Sequence, residues 1–137
     1  MNRAILFAGA CAVPLAAAAE EPGVFADHAA YAAFVDTAIS ARDFEGLTRR
    51  LDGADDYAPG QLEEAVAQLR ASFPKDFTGM SLLKAEEMEG GFVQEARAFW
   101  TDESYAFFYA LLHRKEDGLV VVSFALNSVP DAILSKF

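Results

Sequence analysis

The chain has 137 residues, 53% of them hydrophobic and 12% aromatic, with a formal net charge of −10 at pH 7. That length suits one domain around a single core. The acidic balance argues against nucleic acid and against an anionic membrane surface, since both need clustered Lys and Arg; the nearest approaches are Arg49-Arg50 and Arg114-Lys115.

The start, Met1-Asn2-Arg3 followed by an apolar run to Ala19 and then Glu20-Glu21-Pro22, has the form of a secretory signal peptide over residues 1–19. Pro14 and the short apolar length argue against a membrane span. Cys11 raises a lipoprotein anchor, but Ala8-Gly9-Ala10 lacks the large aliphatic residue expected three positions before such a cysteine. The expectation is therefore a periplasmic or secreted protein, away from the membrane after cleavage, with one domain over 20–137. Cleavage removes Arg3 and no acid, so −10 becomes −11, and it removes the one cysteine. Packing must then supply the stability without disulfides.

Within the domain, Asp27 to Ala41 reads as a helix: Tyr31, Phe34, Val35, Ala38 and Ile39 form one apolar stripe, and Asp27 suits the N-cap. Arg42-Asp43-Phe44 marks a bend, and Phe44, Leu47 and Leu51 continue in a shorter helix. Asp52-Gly53-Ala54-Asp55-Asp56 is a loop without the ligand spacing of a calcium site. Pro59 opens another helix, with Leu62, Ala65, Val66, Leu69 and Phe73 as its stripe, and Phe73-Pro74 ends it. Ser81 to Glu86 suits a strand leading into a turn at Gly90-Gly91, although its composition would also fit a helix. Pro130 to Leu134 suits a short C-terminal helical turn.

Gly91 to Asn127 reads as three antiparallel strands. Asp117-Gly118 as a two-residue turn sets His113 opposite Val122, Leu111 opposite Phe124 and Tyr109 opposite Leu126. A turn at Asp102-Glu103 sets Trp100 opposite Tyr105, Ala98 opposite Phe107, Ala96 opposite Tyr109 and Phe92 opposite His113. Alternation then collects rings and small residues on one face, including Phe92, Trp100, Tyr105, Phe107, Tyr109 and Phe124. The expected layering places the helices across that ring-bearing face. The opposite face carries Glu95 and Arg97 with Phe99, Phe108, Leu112 and Val121, and reads as a dimer surface.

The fold class is α+β: N-terminal helices on one face of a curved antiparallel sheet of three to four strands, then a helical turn. This order, with Ala41-Arg42-Asp43-Phe44 followed by Gln61-Leu62-Glu63-Glu64-Ala65-Val66, resembles the nuclear transport factor 2-like (cystatin-like) superfamily, in particular small exported members with no known activity. The resemblance implies helices packed in the concave side of the sheet around a conical pocket. Members resembling ketosteroid isomerase use a Tyr and acids in that cone; no such role transfers to a particular residue here.

Gln94, Trp100, Tyr105, Tyr109 and His113 share the ring face and are the candidate lining of a small-molecule pocket. Plain core is the competing reading of those rings. His113 beside the tyrosines suggests acid–base chemistry of isomerase or dehydratase type, but no orienting acid is placed next to it. His28, beside the helix cap, reads as exposed. Two distant histidines and no cysteine in the domain argue against zinc, so no catalytic residue, metal or cofactor is assigned. Ser104 and Ser123 lack a nucleophile elbow, and Gly90-Gly91 is no phosphate loop. The function expected is binding of a small apolar ligand or a protein partner, with a homodimer among the options. A pocket enzyme using His113 and tyrosines is the alternative, and an inhibitory loop at Asp52 to Gly60 a third reading.

Overall fold

Asp27 starts the first helix as its chemistry suggests: its carboxylate accepts the Ala30 N–H at 2.9 Å, capping α1 (His28–Ser40). This contact belongs to a computed structural model describing residues 21–53 and 57–137; the expected leader and residues 54–56 of the acidic loop lie outside the described residues. The stripe Tyr31, Val35, Ala38 and Ile39 is buried. Arg42 takes a left-handed φ of 58° and turns the chain. Its guanidinium ties the bend down, donating to Asp76 at 2.9 Å and to the Phe73 carbonyl at 3.0 Å. Asp43 then caps α2 (Phe44–Leu51) through the Gly46 N–H, and Phe44, Leu47 and Leu51 are buried. The next helix, α3 (Gln61–Ser72), begins two residues after Pro59, with Gly60 at the cap and Leu62 as its buried residue.

Among the described residues the sheet has five antiparallel strands, β1 (Val24–Phe25), β2 (Gly79–Glu87), β3 (Phe92–Trp100), β4 (Tyr105–Lys115) and β5 (Gly118–Asn127), in the order β1-β5-β4-β3-β2. A short α4 (Pro130–Leu134) follows. The α+β class and the C-terminal turn are as expected, and the sheet is curved and open with one or two strands more. The addition that sequence did not suggest is β1. Arg50 holds it by donating to the carbonyls of Glu21 and Val24 and stacking 4.0 Å over the Phe25 ring.

The β3–β4 register is as derived, from Phe92 opposite His113 to Trp100 opposite Tyr105. The β4–β5 register is not. Glu116 and Asp117 form the turn, so Lys115 pairs with Gly118 and His113 with Val120. Gly118 serves a close approach instead: a Cβ there would stand 2.6 Å from the Phe25 carbonyl oxygen of β1. Farther along, Val122 is an extra residue between the pairs Leu112–Val121 and Leu111–Ser123. This bulge reverses the facing of the strand beyond it. Phe124 lies opposite Ala110 and Leu126 opposite Phe108, not opposite Leu111 and Tyr109.

The layering is the reverse of the expectation. The helices pack on the face that carries Val93, Phe99, Phe108, Leu112, Leu119 and Val121, and Phe124 and Leu126 join that core. Phe99, Phe108, Leu112 and Val121 are therefore buried interior, which corrects their reading as a dimer face. The ring face lies outside and is partly covered by the chain's end, where Ile133 and Phe137 pack on Ala96, Tyr109 and Leu111. Glu95 and Arg97 mimic a wet face in the sequence, but both are buried and neutralise one another under α1.

Candidate functional site: a buried charge relay and a sheet edge

Glu95 and Arg97 sit at alternate positions of β3, so both side chains point at α1. Burying either alone would be costly; each has partners. Arg97 donates to Glu95 at 3.1 Å and to the two Asp36 oxygens at 3.1 and 3.3 Å. The other Glu95 oxygen lies 2.5 Å from Nε2 of His28. The relay therefore runs His28–Glu95–Arg97–Asp36, from one end of α1 toward the other. Its inner members are nearly inaccessible, whereas the His28 side chain is 41% exposed.

Tyr31 lies beside the relay, with the Arg97 guanidinium 5.9 Å from its ring. Its hydroxyl is buried, and no group among the described residues meets hydrogen-bond geometry with it; the same holds for Arg97 Nε. Burial pushes the Tyr31 hydroxyl well above its ordinary range, and the nearby Glu95 charge pushes the same way against the pull of Arg97. Burial also raises Asp36, by more than the Arg97 charge and hydrogen bonds lower it.

His28 forms part of the wall of a cleft of about 300 Å³, shared with Asp27, Arg114, Lys115, Glu116 and Leu119. A half-exposed imidazole with one nitrogen held by a buried carboxylate has the arrangement of an oriented acid–base group. A larger, shallow groove at the other end of the relay is lined by Asp36, Thr37, Ser40 and Asp76, but its carboxylates are engaged by Arg97 and Arg42.

The five ring-face candidates share the outer face but do not surround one space. The Gln94 amide donates to the Tyr109 hydroxyl and to the Lys136 carbonyl, both at 2.9 Å, which pins the C-terminus. Tyr109 packs edge-on against Phe137. The Trp100 ring lies over Gly79, where a Cβ would stand 2.2 Å from its Nε1. Tyr105 is exposed at the end of β4. His113 stacks on Phe92 at 4.1 Å, and its Nε2 lies 3.0 Å from the Gly90 carbonyl oxygen, which braces the β2–β3 turn. His28, not His113, is the histidine with an acid beside it, and that acid is 67 residues away in the chain. The one available signal was an acid and a base alternating within an apolar strand.

The second feature is β2. Among the described residues it borders β3 on one side and is the last strand of the sheet. Apart from Gly79 its residues are exposed, among them Leu82 at 44% and Leu83 at 45%, with Met88 beyond its end at 49%. The ladder slips at Leu83, between the pairs Leu82–Arg97 and Lys84–Ala96.

Compared with family models, curated proteins and solved structures, the chain has no match in any of the three.

Proposed function

We propose that the chain is an exported, non-enzymatic binding domain whose partner is a protein docked along β2. The observation that carries this reading is a nine-residue edge strand with exposed side chains on both faces. Such an edge offers backbone N–H and C=O groups to an added strand and side chains for selectivity. A small apolar ligand has less support, because the helices fill the inner side and the chain's end lies on the middle of the ring face. The likeness to the nuclear transport factor 2-like superfamily belongs to the same proposal and rests on element order and sheet curvature. A photo-reactive residue at position 82 tests the reading in the exporting cell. It is expected to cross-link one discrete protein, and Ala85→Pro, which removes an outward N–H, is expected to abolish that product. No product at position 82, or one that survives Ala85→Pro, contradicts it.

A second reading, acid–base chemistry in the cleft, is favoured by the 2.5 Å contact between His28 and Glu95. It moves the enzymatic alternative from His113 to His28. Small carboxylates and carbonyl compounds are then expected to shift the His28 ring resonances and leave those of His113 in place. A screen that moves neither removes this reading.

A further inference from the structure

We infer that the partner on β2 is a second copy of this chain, paired antiparallel about a two-fold axis through Ala85, so that two five-stranded sheets become one of ten. This rests on the edge-docking reading above and adds the occupant and the register. Hydrogen-bond phase along β2 limits where the axis can lie. Met88 N–H donates to the Phe92 carbonyl, and Glu86 and Lys84 pair with Gln94 and Ala96 in the same ladder. Alternate residues of an antiparallel strand bond to the same neighbour. Lys84, Glu86 and Met88 therefore spend their backbone groups on β3, and Ala85 and Glu87 direct theirs outward.

A symmetric partner must match outward residues with outward residues. An axis between two residues is out of phase. An axis through Lys84, Glu86 or Glu87 sets that charge opposite its own copy, which is unfavourable. An axis through Ala85 sets Lys84 opposite Glu86 twice. Both lie on the outer face, across from Ala96 and Gln94, and they meet at positions where facing side chains come closest. Charges and a bulge on an edge keep foreign strands away; about Ala85 those same charges become complementary.

Sedimentation or light scattering across a concentration series tests this on the full chain and its variants. The wild type is expected to form a dimer. Lys84→Glu and Glu86→Lys should each weaken it about tenfold, and the double exchange should restore it, because two facing pairs change sign and change back. With Cys11→Ser, Ala85→Cys should oxidise to a cross-linked dimer, since facing strand residues lie within disulfide reach, while Tyr105→Cys should not. A wild-type monomer at every concentration overturns the second copy as occupant, and the cross-link at position 82 then decides the broader reading by itself. A dimer that the double exchange fails to restore overturns the Ala85 axis.

Discussion

Nε2 of His28 and a carboxylate oxygen of Glu95 lie 2.5 Å apart although 67 residues separate them in the chain. The contact joins the first turn of α1 to the middle of β3, and it continues through Arg97 to Asp36. This line of charge lies between α1 and the sheet face that the helices cover.

Removing one inner member should leave the other buried without its main partner. Arg97→Met is expected to cost about 3–5 kcal/mol in urea denaturation, the range for breaking a buried pair. Replacing Glu95 by Leu together with Arg97→Met should cost less than the sum of the single changes. Additive losses would show that the two residues do not act as a pair.

Asp36 gives a pH signature with a definite sign. Its folded value is raised above the ordinary 3.8. Between 3.8 and the raised value, the native state holds a proton that the unfolded chain has released. Its contribution is therefore greatest at low pH and declines as pH rises through that window. The stability of the wild type minus that of Asp36→Asn should fall with rising pH from 3.8 upward. Chemical denaturation at several pH values checks this; a difference that rises with pH contradicts the burial of Asp36.

The reversed layering predicts unequal costs for neighbouring rings on β4. Phe108→Ala should cost about 3–5 kcal/mol, because it empties a fully buried site. Tyr105→Ala, at an exposed site, should stay within about 0.5 kcal/mol. Thermal and urea unfolding of the two variants separate these values, and equal costs would argue against the layering.

Gly118→Ala should destabilise by about 1–3 kcal/mol, because the new methyl meets the Phe25 carbonyl of β1 at 2.6 Å. Amide exchange at Val121, whose N–H donates to the Gly23 carbonyl, should quicken. Unchanged exchange would show that β1 does not lean on position 118.

Much of this architecture was legible locally. The Asp27 cap, the buried stripe of α1, the Arg42 bend and every β3–β4 pair follow from residue type and alternation. What failed were features set by distant partners. The Asp117-Gly118 pair looked like the turn because glycine takes positive φ cheaply; here it admits β1, a strand too short to leave a pattern. The Val122 bulge has no local signature, yet it turns Phe124 and Leu126 from one face to the other. Glu95 and Arg97 marked the wrong face as wet, since only the fold brings His28 and Asp36 to them. His113 drew notice by its aromatic neighbours and proves to brace a turn.

Ring contacts in a nuclear Overhauser spectrum test the layering most directly, and with it the placement of the relay and of β2. Phe108 and Phe124, 6.2 Å apart on the inner side, should show cross-peaks, as should Tyr109 and Phe137, 5.9 Å apart on the outer side. Cross-peaks between Tyr109 and Phe124 would put both rings on one face and contradict the account.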